Sequence, residues 1–147
     1  MTISLQPGQI LARGVARHLR GLGFESLQEF SPIKGLRSDI AALNAQGELW
    51  IIECKSSRSD FQTDRKWTGY LDWCDRYFWA VDEAFPTEIL PAESGLMIAD
   101  GFDAEIIRQG ILAPLPPARS KAVTRRFAIT AARRLQRFTD PDVALLR

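Results

Sequence analysis

RSDIAALNAQGELWIIECKSS, residues 37–57, is the stretch that decides the fold. Its second half, Glu48 to Ser56, has the composition of a strand. A period of two sets Ile51, Glu53 and Lys55 on one face and Trp50, Ile52 and Cys54 on the other. Both faces begin apolar, as in a central strand covered by helices on each side. A glutamate and a lysine in such a strand are costly to bury unless they pair, neutralise or bind a cation. The first half, Arg37 to Asn44, alternates so that Arg37 and Asp39 share a face. Asn44-Ala45-Gln46-Gly47 between them suits a short hairpin loop. Antiparallel pairing through that loop carries Asp39 towards Glu53, and two adjacent carboxylates suit a hard cation such as Mg²⁺ or Mn²⁺. Lys55 points the same way and is placed to act on a bound water or on charge developing at a phosphate.

Around this centre the chain of 147 residues, 46% hydrophobic with four tryptophans, has the size and composition of one domain with one packed core. No apolar run approaches the length of a membrane span, and MTISLQPGQILARG lacks the charged-then-apolar order of a signal peptide, so a cytoplasmic location is expected. Cys54 and Cys74 lack metal-site spacing and are expected as reduced core residues. The net charge of +1 favours no partner by itself. Its distribution along the chain is more informative.

A helix from Pro7 to about Arg20 is predicted by the apolar stripe Ile10, Leu11, Val15, Leu19 and Leu22, with Gly21 and Gly23 ending it. Its polar side holds Arg13, Arg17, His18 and Arg20, which suit either a solvated face or phosphate contact. Phe24 to Lys34 follows as a strand weakened by Pro32, and from it Glu29 could add a third carboxylate or stay an exposed edge residue. After Lys55, Ser59 and Gln62 have the form of a capping box. The expected helix runs to about Cys74 and buries Trp67, Tyr70, Leu71 and Cys74, leaving Asp64, Lys66 and Asp72 polar. Lys66, one turn before Tyr70, is either solvated or reaches towards the strand ends. Tyr77 to Val81 has no polar face and reads as a buried strand, reached from the Glu53 strand by a right-handed parallel crossover. A proline-broken loop over 83–94 leads to a strand from Gly95 to Asp100 and a short return over Ala104 to Gln109.

The carboxy-terminal part changes character. Arg119 to Arg137 contains seven basic residues and no acid, and Val123, Phe127, Ala131, Leu135 and Phe138 form a helical stripe. A basic amphipathic helix over about 119–138 is expected, either covering the core with solubilising charge or contacting phosphates through residues such as Arg125, Arg126 and Arg133. A membrane surface ranks behind both, because the core needs the stripe and no tryptophan lies on it.

Ser38-Asp39 followed by Glu53-Cys54-Lys55 on the next strand resembles the PD-(D/E)xK nuclease signature, with serine in place of the usual proline. The longer run resembles the MmcB-type DNA-repair family. It extends from Arg37-Ser38-Asp39 through Ile52-Glu53-Cys54-Lys55-Ser56-Ser57, Asp60-Phe61, Asp64-Arg65-Lys66-Trp67, Tyr70 and Cys74-Asp75 to Phe78-Trp79-Ala80-Val81. That resemblance covers about Phe24 to Arg134. It implies a restriction-endonuclease-like α/β fold in the order α-β-β-β-α-β-β with a basic terminal helix. Function in the repair of damaged DNA and structure-specific rather than sequence-specific DNA binding are also implied. Carried onto this chain, Asp39 and Glu53 would hold Mg²⁺ or Mn²⁺ and Lys55 would be the catalytic lysine; beside them the Cys54 main-chain carbonyl is expected as a further ligand, Ser57, Lys66 and Tyr70 are expected to meet the substrate, and Arg37 is expected either to contact phosphate or to pair in a salt bridge. The acid often found on the first helix is missing, which makes Glu29 the nearest substitute. A non-catalytic DNA-binding module and a protein-interaction adaptor remain alternatives to the nuclease, and a second copy or another repair protein is an open partner.

Overall fold

The structure, a computed structural model, describes residues 4–146. One sheet of six strands organises it: β1 (Phe24–Ile33), β2 (Leu36–Asn44), β3 (Leu49–Cys54), β4 (Arg76–Val81), β5 (Gly95–Ala99) and β6 (Ala104–Arg108), lying side by side in that order. β1–β2, β2–β3 and β5–β6 pair antiparallel, whereas β3–β4 and β4–β5 are parallel. The mixed sheet follows from connection length, since five or fewer residues allow only a hairpin and longer segments allow a crossover. At the β2–β3 turn Gly47 takes a φ of 84°, and the Asn44 side chain accepts from the Gln46 and Glu48 main-chain N–H groups.

β3 occupies the expected central place, and all six of its residues are buried. Its alternation divides the core. Trp50, Ile52 and Cys54 pack with Leu11, Val15 and Leu19 of helix α1 (Pro7–Gly21). Ile51 faces the other layer with Tyr70, Tyr77, Trp79 and Val81. The long helix α3 (Pro117–Thr139) joins that second layer through Val123 and Phe127, which cover Phe30, Ala41 and Leu49. Each fully buried aliphatic side chain here contributes about 2 kcal/mol of transfer free energy. α1 lies close to the sheet edge because Gly14 has no side chain; a Cβ there would sit 1.8 Å from the Asp100 carbonyl oxygen.

The structure departs from sequence expectation in three places. In place of one helix to Cys74, a short helix α2 (Arg58–Gln62) and a separate 3-10 helix (Trp67–Trp73) form. The cap of α2 is Ser57, whose hydroxyl accepts from Asp60 N–H at 3.1 Å, and not Ser59. The break has a local cause: Asp64 Oδ1 accepts from the N–H groups of Lys66 and Trp67 and so starts the second helix anew. As a result Leu71 is exposed rather than buried. On α3 only the first part of the apolar stripe is used, and Leu135 and Phe138 are 64% and 86% exposed. The helix outruns the sheet beneath it. On α1, Ile10 and Leu22 likewise lie at the exposed margins of the stripe.

Candidate functional site

The site is built where β2 and β3 part. Their main-chain ladder extends to the Ile40–Ile52 pair. One step further, side chains take over the main-chain donors: Asp39 N–H donates to Glu53 Oε1 at 3.2 Å, and Cys54 N–H donates to Asp39 Oδ2 at 2.8 Å. The two carboxyl groups are brought together by register, as the hairpin reading requires. Glu53 is only 4% exposed. Burial, a hydrogen bond to the Asp39 carboxylate and the charge on Asp39 raise its pKa from 4.5 to about 9, which favours the protonated form of Glu53. Two adjacent carboxyl groups that resist carrying two charges call for a positive partner, and a divalent cation can supply it.

Asp39 and Glu53, with Cys54 main chain alongside, therefore form a donor set that fits a hard cation. Among the described residues no group of three or more His, Cys, Asp or Glu side chains converges to hold a metal. Glu29, the third carboxylate considered from sequence, lies on β1 and lines a groove with Asp39. It is exposed and sits at a φ of 51°, in a groove shared with Arg133, Arg134 and Arg137.

Lys55 lies at the end of β3 with its side chain only 10% exposed. Its Nζ is 2.8 Å from Asp64 Oδ2 and 3.9 Å from Asp60 Oδ1. Burial alone would discharge it. The hydrogen bond to Asp64 and the charges of Asp64, Asp60 and Glu53 outweigh burial, and the pKa rises above its ordinary value. Lys55 is thus a firmly held ammonium. Asp64, despite its own burial, has a lowered pKa for the reciprocal reason. Neither Asp60 nor Asp64 emerged from sequence as a site residue. The signal for Asp64 was its place three residues before Trp67, an N-cap spacing hidden inside what looked like one amphipathic helix.

Glu53, Lys55, Asp60 and Asp64 line an open cleft of about 490 Å³ together with Arg37, Lys66, Ser31 and Tyr70, whereas Asp39 lines a neighbouring groove with Gln28 and Glu29. Arg37 is exposed. Lys66, at the start of the 3-10 helix, reaches the cleft, which the sequence left undecided. Tyr70 donates its hydroxyl to the Arg37 carbonyl at 2.6 Å, and burial together with the charges of Glu53 and Asp39 holds its pKa well above the ordinary value. It braces the wall of the cleft. Ser38, where the nuclease signature has proline, is buried and donates to the Phe30 carbonyl at 3.1 Å, tying β2 to β1 beside Asp39. Cys54 and Cys74 are free and buried; burial raises both thiol pKa values.

The α3 arginines divide. Arg126 donates to the Ser31 carbonyl at 2.8 Å, and Arg134 donates to the Gln28 and Glu29 carbonyls. Arg133 and Arg137 line the groove beside them, and Arg125 is exposed. Arg119 stacks on Trp73 at 5.0 Å. Among the described residues no helix is long and apolar enough to cross a membrane.

A family model described as DNA repair protein MmcB-like matches residues 5–142. A solved structure of a protein of unknown function from Silicibacter pomeroyi is 63% identical and superposes with a TM-score of 0.93, covering 95% of this chain and 96% of that one. Among curated proteins none matches.

Proposed function

The chain belongs to the MmcB-like family of DNA repair proteins, and from that membership and the paired carboxyl groups we propose that it is a metal-dependent nuclease that hydrolyses phosphodiester bonds in DNA. The observation that carries this is the meeting of Asp39 and Glu53 across β2 and β3, where each carboxyl group accepts a main-chain N–H that the ladder leaves free. Asp39, Glu53 and the Cys54 carbonyl would hold Mg²⁺ or Mn²⁺, which when bound supplies Lewis-acid polarisation of the phosphate and a lowered pKa for the attacking water. The rest falls to side chains of the cleft. Lys55, kept as an ammonium by Asp64, is a hydrogen-bond donor to the charge that grows on the phosphate oxygens and does not act as a base. Arg37 and Lys66 at the cleft mouth hold the flanking backbone, and such contacts position DNA without reading its sequence. Ser57 is occupied as the α2 cap and so shapes the cleft rim through the helix it starts.

One observation favours a second function, a DNA-binding repair module without cleavage: Lys55 is directed to Asp64 and Asp60. A single experiment separates the two. Purified protein is incubated with labelled nicked, branched, mismatched and single-stranded DNA, with Mg²⁺, with Mn²⁺ and with chelator. Ion-dependent product from the wild type, abolished in Asp39→Ala and in the more conservative Asp39→Asn, supports the nuclease. DNA binding without product on any substrate, or wild-type cleavage by Asp39→Ala, refutes it.

A further inference from the structure

We infer that the groove between α3 and the edge strand β1 is a phosphate rail, which binds the backbone of one DNA strand and leads it to Asp39. This rests on the proposed action on DNA but not on cleavage. Arg126, Thr130, Arg133, Arg134 and Arg137 share a single helical stripe, since steps of four, three, one and three residues keep them within about 100° of each other at 100° per residue. The stripe spans about 16 Å at 1.5 Å per residue. The same residues, with Glu29 and Ser31, line the groove.

Two of the arginines are fixed in place. Arg126 is held by the Ser31 carbonyl, and Arg134 by the Gln28 and Glu29 carbonyls. The latter pair lies at the kink where Glu29 adopts a φ of 51°, a left-handed conformation that costs a non-glycine residue about 1 kcal/mol and is found where backbone is held in a special shape. Arg133 and Arg137 take part in no salt bridge among the described residues, and α3 carries no acidic residue from Pro117 to Thr139. A row of four guanidinium groups with a single exposed glutamate for company calls for an anionic ligand that extends along it.

The rail is connected to the site at both ends. Ser31 lines both this groove and the Glu53–Lys55 cleft. Arg134 and Arg137 line a further groove with Glu29 and Asp39. A backbone lying along α3 is therefore delivered to the carboxyl pair rather than past it. Arg125 and Lys121, on the same helix, fall more than about 100° from the mid-line of the stripe and point elsewhere.

The full-length protein is titrated into fluorescently labelled single-stranded DNA and a blunt hairpin duplex in chelator, with anisotropy read at several salt concentrations. Arg133→Glu/Arg137→Glu is expected to weaken binding at least tenfold and, for duplex, to lower the slope of log affinity against log salt by about 1.8, or 0.9 per phosphate contact. Lys121→Glu/Arg125→Glu, an equal change of charge, is expected to cost less than threefold. The two DNA arms tell whether the strand comes from single-stranded DNA or from one side of a duplex; loss in either arm supports the rail. Equal loss in the two double variants, or unchanged binding by Arg133→Glu/Arg137→Glu, overturns it. Chelator keeps the outcome independent of cleavage, so failure of the rail and failure of the nuclease are read separately.

Discussion

Removing Asp64 should expose how much of the site is electrostatic clasp. Asp64 makes a 2.8 Å ion pair with Lys55, and the two side chains are each 10% exposed. Its other oxygen caps the 3-10 helix through Lys66 and Trp67 N–H. Breaking a fully buried ion pair from one side costs about 3–5 kcal/mol. Here Asp60 still lies 3.9 Å from Lys55 and the cleft admits water, which reduces that to about 2 kcal/mol. Loss of the cap adds about 1 kcal/mol. Asp64→Ala is thus expected to lose about 3 kcal/mol in urea unfolding, a fall in Tm of about 6–12 °C for a chain of this size. Asp64→Asn keeps an acceptor for the cap and should lose about 2 kcal/mol. Lys55→Met keeps the aliphatic stem without the charge, so Asp64→Asn combined with Lys55→Met should show a coupling of about 2 kcal/mol in a double-mutant cycle. Additive losses would refute the clasp, and so would an Asp64→Ala protein as stable as the wild type.

In chelator, the pH dependence of stability should carry the signature of Glu53. Its folded pKa, about 9, lies above the ordinary 4.5, so the folded state binds the extra proton between those values; the contribution is fully present below 4.5 and is lost as pH rises through 9. Urea unfolding at pH 6 and pH 8.5 should find the wild type less stable at the higher pH. Asp39→Asn, which removes the facing charge, should flatten that slope. Asp75 is a second clasp, remote from the chemistry: its buried carboxylate accepts from Leu49 N–H and Leu115 N–H, each at 2.8 Å, and joins β3 to the segment leading into α3. Asp75→Ala leaves two main-chain donors unsatisfied and should cost about 3 kcal/mol by urea unfolding, with DNA binding per folded molecule unchanged.

Local chemistry made much of this molecule legible in its sequence. The period-two alternation of ELWIIECKS places β3 in the middle of a sheet because side chains on opposite faces of a strand must meet opposite layers. The loop Asn44 to Gly47 sets the register that brings Asp39 to Glu53, since a short hairpin leaves little freedom of pairing. The lengths of the other connections decide which strands run parallel. What only the tertiary structure decided concerns groups whose partners are distant or whose local signals compete. The direction of Lys55 depends on Asp64, which reaches it only because a cap at Asp64 breaks the chain between α2 and the 3-10 helix. The exposure of Leu135 and Phe138 depends on where the sheet beneath α3 ends, a length that helical periodicity does not contain. The division of the α3 arginines into anchored and open ones depends on carbonyls of β1 about a hundred residues earlier, turned outward at Glu29. Periodicity reports which face of an element is buried; the opposing residue, and hence the charge balance of the site, is set by packing between elements.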